Sequence, residues 1–205
     1  MLFRSIALVG AGRTDTGVHA KQMFAHFDFD LHFDVSSTLF KLNSFLPNDV
    51  VVLSLQKVSD QFHARFDAKS RTYEYHMHSQ KNPFLTDQSW FFSQTLHIGL
   101  MNQACEVLME YTDFECFSKI HTDVHTFNCT IQSAFWIQNQ HQLIFTITAN
   151  RFLRNMVRAI VGTLINIGLE KVSLPEFRQI IESKNRQKAG FSVPAHGLFL
   201  TKVDY

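Results

Sequence analysis

The hydrophobic and polar positions of the chain mark out its elements one after another. A short apolar run from Ser5 to Val9 predicts a strand, and from Met23 to Phe29 the residues Met23, Ala25, Phe27 and Phe29 alternate with Phe24, His26 and Asp28. That second pattern is a strand with aromatics on both faces. Ser36 or Ser37 caps a short helix that runs to Leu46, where Pro47 stops it. Val50 to Val58 predicts a further strand, and Tyr73, Tyr75 and Met77 share one face of the next. Between His97 and Tyr111, apolar residues recur at helical spacing at Leu100, Ala104, Val107, Leu108 and Tyr111. Thr130 to Ile137 and Gln142 to Ala149 then form a hairpin around the polar turn Asn139-Gln140-His141. A helix opens at Phe152 with Met156, Val157, Ile160, Val161 and Leu164 as its core stripe. Leu174 to Lys184, with Pro175 in its first turn, is a short helix, and a last strand begins at Leu198. This order predicts the α+β class with a largely antiparallel sheet. No internal repeat, low-complexity segment or linker interrupts it.

Composition narrows the setting. With 205 residues, 45% of them hydrophobic and 18% charged, the chain can bury one large core or two small ones, which argues against disorder. Cys105, Cys116 and Cys129 are an odd number without a Cys-x-x-Cys pair, so they read as small buried hydrophobes in a reducing compartment. The spacing Cys116-x4-His121-x3-His125-x3-Cys129 lacks a tight knuckle pair and reads as a loop rather than a zinc site. Met1 to Val9 only faintly mimics a signal peptide, and the apolar run Ala159 to Leu169 is too short to cross a bilayer. The expectation is a soluble, cytoplasmic protein without a membrane partner.

A net charge of +1 does not announce a nucleic-acid partner, but its distribution is uneven. Arg151, Arg154 and Arg158 fall in one stretch, and Arg178, Lys184, Arg186 and Lys188 in another. Charge alone leaves a positive binding face and a solvated helix face equally open. Arg158 also lies close to the apolar stripe of its helix, and an arginine there needs a carboxylate or phosphate to receive it.

Candidate chemistry concentrates in Ala11-Gly12-Arg13-Thr14-Asp15-Thr16-Gly17-Val18-His19-Ala20. Gly12 or Asp15 alone reads as a surface turn. A guanidinium, a hydroxyl, a carboxylate and an imidazole within this short run, framed by two glycines, exceed what a turn needs.

Gly12-Arg13-Thr14-Asp15-x-Gly17-Val18-His19-Ala20 resembles the active-site motif of the TruA family of tRNA pseudouridine synthases, in which the Asp is the catalytic carboxylate. The resemblance continues through Asn43-x-x-Leu46-Pro47-x-Asp49 and through Phe62 to Tyr75, where Tyr73 matches the tyrosine that packs on the target uracil. Near the end, Ala189-Gly190-x4-Ala195-x-Gly197-Leu198 fits the same family. The implied fold is two ferredoxin-like halves joined into one extended, mostly antiparallel sheet flanked by helices, with a cleft between them. Residues 1–62 would be the first half and 63–205 the second. The family carries a further strand and helix before the aspartate motif, so the first half is expected to be incomplete and the chain N-terminally shortened.

The resemblance implies an isomerase that turns uridine into pseudouridine at positions 38 to 40 of the tRNA anticodon arm, acts as a homodimer and uses no cofactor or metal. Asp15 would be the nucleophile and Arg158 its partner. Tyr73 would stack on the flipped base and take the C5 proton late in the reaction. Arg13 would brace the vacated RNA position, with Thr14, His19, Arg71 and Arg154 as further RNA contacts. The runner-up is an RNA-binding chain impaired in catalysis. Arg13, Asp15, Tyr73 and Arg158 together favour the enzyme, because binding alone needs no carboxylate facing phosphates.

Overall fold

The computed structural model describes residues 6–29, 32–120 and 124–205. The chain runs β1 (Val9–Gly10), β2 (His19–Ala20), β3 (Ala25–His26), α1 (Val35–Phe45), β4 (Ser70–His78), β5 (Trp90–Phe91), α2 (Ile98–Met109), β6 (Ile131–Asn139), β7 (Gln142–Ala149), α3 (Met156–Gly168), α4 (Leu174–Glu182) and β8 (Leu198–Asp204). This is the α+β class that the pattern predicts.

Period-2 burial explains the main sheet. On β7, Leu143, Phe145, Ile147 and Ala149 are buried and their neighbours are not. Opposite them in antiparallel register stand Met77, Tyr75 and Tyr73 of β4, and β8 sets Leu198 and Leu200 against Tyr75 and Tyr73. The order is β2-β8-β4-β7-β6, with β5 also on β4. The sheet is largely antiparallel, but β2 joins β8 and β5 joins β4 in parallel. β2 thus carries the end of the aspartate motif into the sheet. β1 and β3 form a separate two-stranded pair.

The apolar side of the sheet is covered by α2 and α3. Met101, Ala104 and Leu108 of α2 and Ile160, Leu164 and Ile165 of α3 lie in one core with Tyr75, Phe145 and Ile147. Complete burial of such a side chain contributes about 1.5–3 kcal/mol.

Four expectations for the first part change. The strand expected over Ser5 to Val9 is Val9–Gly10, with Ser5 outside the described residues, and the alternating stretch from Met23 pairs only at Ala25–His26. The strand expected over Val50 to Val58 does not form. Instead the Asn43 side chain imitates a neighbouring strand, donating from Nδ2 to the Val52 carbonyl at 2.9 Å and accepting from the Val52 N–H at 2.7 Å. A single amide satisfies that backbone, so no strand partner is required. The cap of α1 is Asp34, whose carboxylate accepts from Ser37 N–H at 2.6 Å, rather than Ser36 or Ser37.

In the second part the helix expected from Phe152 begins at Met156. Asn155 holds φ +66°, a left-handed conformation that no α-helical residue adopts. Ser173 and Glu176 close a reciprocal cap on α4.

Candidate active site

The aspartate loop is shaped by its own backbone. Ala11 is buried and its N–H donates to the Phe24 carbonyl at 2.8 Å. Val18 N–H closes a turn on the Asp15 carbonyl at 3.2 Å, and Gly17 supplies the φ of +83° that the turn requires. The Asp15 side chain, 25% exposed, is thereby held at the surface without being free in solvent.

Arg158 reaches it from α3. Its Nη1 donates to Asp15 Oδ2 at 2.9 Å, while Nε donates to the Val193 carbonyl at 2.7 Å. A guanidinium gripped at two points has a fixed direction. Arg154, one turn earlier and more exposed, brings Nε to 3.9 Å from Asp15 Oδ1.

The Val193 carbonyl belongs to a strap, residues 190–194, tied down along its length. Gly190 N–H donates to Thr163 Oγ1 at 2.8 Å, Asn155 Nδ2 donates to Ser192 Oγ at 2.6 Å, and the buried Tyr75 hydroxyl donates to the Pro194 carbonyl at 2.9 Å. Arg186 adds bonds to the Gly190 carbonyl and Ser192 Oγ. The strap lies directly on α3 because Gly162 and Gly190 have no side chains. A Cβ at Gly162 would fall 1.9 Å from the Phe191 carbonyl oxygen.

Tyr73 stands two residues before Tyr75 on β4, its ring edge-on to Phe152 at 5.1 Å between centroids. Its hydroxyl has no hydrogen-bond partner among the described residues. Burial pushes its pKa up to about 12, with the charge of Asp15 acting in the same direction and Arg71 opposing. Asp15 and Tyr73 therefore share one electrostatic environment.

Arg71 works as a clamp. Its terminal nitrogens donate to the carbonyls of Ala68, Asn150, Ala11 and Arg65, tying the aspartate loop to β4 and to the turn before it. His19 is anchored by Nε2 on the Asp87 carbonyl at 2.8 Å and stacks on Phe199. Arg13 and Thr14 are exposed.

The family model described as tRNA pseudouridine synthase matches residues 105–205, which include Arg158 and the strap. Over its whole length the chain is similar to proteins named tRNA pseudouridine synthase A. It is 50% identical over 201 residues to that of Parabacteroides distasonis, covering 98% of this chain and 80% of the relative. It is 49% identical over 205 residues to that of Azobacteroides pseudotrichonymphae, covering 100% and 82%. With the Bacillus subtilis protein the identity is 37% over 202 residues, covering 98% and 82%.

The chain belongs to the tRNA pseudouridine synthase A family.

In this member of the tRNA pseudouridine synthase A family, the two basic stretches part company. Arg154 and Arg158 face Asp15, whereas Arg178 pairs with Glu110, Lys184 with Asp113, and Arg186 with the strap. Three of the four basic residues of the second stretch are thus paired within the protein. Among the described residues no group of three or more His, Cys, Asp or Glu side chains is placed to hold a metal, and no helix is long and apolar enough to cross a membrane. His121 of the cysteine–histidine spacing lies outside the described residues, while Cys116 and Cys129 are buried thiols.

Sequence reasoning singled out Asp15, Arg158 and Tyr73 but missed Asn155, Val193 and the Tyr75 hydroxyl. The glycines of the 189–197 segment carried the family resemblance without showing that the segment is a strap or what it holds.

Burial of Tyr73 carries a stability prediction. Its phenol ionises near 10 when solvated and near about 12 in the fold, so its contribution is complete below pH 10 and is lost as pH rises to 12. Unfolding free energy should fall by about 2–3 kcal/mol more in the parent than in Tyr73→Phe over that interval. Denaturant titrations of both proteins at pH 9 and pH 12 measure the difference. Equal losses would mean that Tyr73 ionises as if solvated.

Proposed function

We propose that the chain converts uridine to pseudouridine in tRNA and that its target lies in the anticodon stem-loop. One observation carries the reading: Asp15 sits in a fixed loop, paired with an arginine from a distant helix and electrostatically coupled to a tyrosine. The relatives named tRNA pseudouridine synthase A support tRNA as the substrate, and the motif resemblance supports the stem-loop.

The reaction breaks the N1–C1′ bond of uridine and forms a C5–C1′ bond. The proton lost from C5 is matched by one gained at N1, so the change is redox-neutral and calls for a nucleophile and proton management. Asp15 is the nucleophile, and Arg158 aims it and balances its charge. Tyr73 stacks on the extruded uracil, whose flipping costs a few kcal/mol. Tyr73 is a phenol at neutral pH, as any tyrosine is, and burial reinforces this. It therefore relays the C5 proton only by passing its own hydroxyl proton to solvent in the same step, while N1 takes one proton from solvent. Arg13 braces the vacated position, Thr14 and Arg154 line the RNA path, and Arg71 and His19 fix its rim.

The same proposal takes residues 1–62 and 63–205 as two halves meeting at the site, and the chain as a cytoplasmic homodimer, as the resemblance implies. Three free thiols support a reducing compartment. Incubation with unmodified tRNA, followed by carbodiimide labelling and mass spectrometry, should show one or more labelled residues in the anticodon arm. RNA that binds but gains no label would leave a binding protein in place of the enzyme.

A further inference from the structure

Outside the loop that holds Asp15, one cluster combines exposure with rigid placement. Phe66 is 75% exposed, which by itself says little of an apolar ring; what sets it apart is the set of groups fixed around it. The His63 ring stacks on it at 4.2 Å with 29° between planes, and the Arg65 guanidinium lies over the ring, 5.7 Å from its centroid, on a flexible side chain that a base can displace.

The turn that carries Phe66 is built to hold still. His63 N–H donates to the Asp67 carboxylate at 2.7 Å, and His63 Nδ1 accepts from the N–H groups of Arg65 and Phe66 at 3.2 Å. Buried Ala64 seats the turn, its N–H on His26 Nδ1 and its carbonyl on the Tyr205 hydroxyl. A hydrophobic ring presented to water on so fixed a turn does not serve the core.

Its position supplies the occupant. One Arg71 nitrogen donates to both the Arg65 carbonyl and the Ala11 carbonyl, so the turn and the aspartate loop meet at a single atom. Arg71 itself is turned inward onto four backbone carbonyls, so the basic group that accompanies the exposed ring is Arg65. A basic group beside an exposed aromatic face suits a nucleic-acid strand, whose phosphate meets the arginine while a base stacks on the ring.

We propose that Phe66, backed by His63 and flanked by Arg65, is a stacking platform for a second, unpaired nucleobase of the RNA substrate. This base is distinct from the uridine that reacts at Asp15. The inference rests on the RNA-modifying function proposed above and adds a subsite to it. Phe66 grips the strand near the target, so it contributes to binding and leaves the chemical step alone.

The test uses the full chain and a fluorescent anticodon stem-loop RNA. Phe66→Ala should weaken binding roughly 10-fold or more and raise KM with kcat unchanged at saturation. Phe66→Trp should bind at least as tightly as the parent, because a larger ring restores the platform. Abasic replacement of each loop nucleotide in turn should reveal one position at which parent and Phe66→Ala bind alike, which names the stacked base. Because Phe66 is mostly exposed, its truncation should leave the unfolding midpoint nearly unchanged.

Outcomes separate cleanly. If the parent forms pseudouridine and Phe66→Ala matches it in both Kd and KM, the platform is overturned and the enzyme reading stands. If the parent neither binds nor modifies the RNA, the enzyme reading fails and takes the platform with it. If Phe66→Ala loses affinity equally for every abasic RNA, no base sits on the ring and the platform is likewise overturned.

Discussion

Asp15→Asn should abolish product formation, lowering kcat by roughly 10⁴-fold or more, the scale seen when a nucleophile is removed, while tRNA binding stays close to that of the parent. The amide has nearly the shape of the carboxylate, and its oxygen can still accept from Arg158 Nη1, so the loop between the Phe24 contact and the Gly17 turn keeps its course. What disappears is the charge and nucleophilicity of the oxygen. Single-turnover labelling, run beside a binding titration, separates these effects. Residual turnover within about tenfold of the parent would remove Asp15 from the chemistry, because no other transition-state effect lost with the charge would be so small.

Gly162→Ala should be strongly destabilising although it replaces glycine by alanine inside a helix. On propensity alone that exchange stabilises a helix by about 1 kcal/mol. Here the added methyl would sit 1.9 Å from the Phe191 carbonyl oxygen, which belongs to backbone and cannot rotate away like a side chain. The strap must lift, and with it Ser192 and the Val193 carbonyl that holds Arg158 Nε. We expect a loss of about 3 kcal/mol, or roughly 6–12 °C in Tm for a chain of this size. The protein that remains folded should also show a lower kcat, since Arg158 loses one of its two grips. Calorimetry together with turnover checks both effects. An unchanged or higher Tm would show that the strap does not press on α3.

Those two positions mark how far sequence reading reaches. Asp15 was legible because unlike polar groups crowd a short run framed by glycines, and Arg158 because a charge beside an apolar stripe needs a partner. The strands and helices of the second part were legible for a similar reason. Alternation at Tyr73, Tyr75 and Met77 and the recurrence along α2 and α3 follow from burial on one face of a regular backbone. In the first part the same rules overreached. Val50 to Val58 has the composition of a strand, but a strand requires a second backbone, and the Asn43 amide supplied that pairing instead. For the second basic stretch, charge alone left a binding face and a solvated helix face equally open, and Glu110 and Asp113, distant in sequence, take up Arg178 and Lys184.

The sequence by itself determined the α+β class and the position of the aspartate motif, and singled out Asp15 and Arg158 as charges in need of an explanation, because local periodicity and residue chemistry are written along the chain; Tyr73 stood out only through the family resemblance. Only the tertiary structure decided that Arg158 is gripped by Val193, that Arg71 ties the aspartate loop to its neighbours, and that Phe66 stands exposed on a rigid turn beside it. The first two depend on which backbone carbonyls lie within hydrogen-bond reach of a guanidinium, and the third on which backbone N–H groups lie within reach of His26, His63 and Asp67. That is a property of the packed chain, and every residue contributes a carbonyl whatever its type.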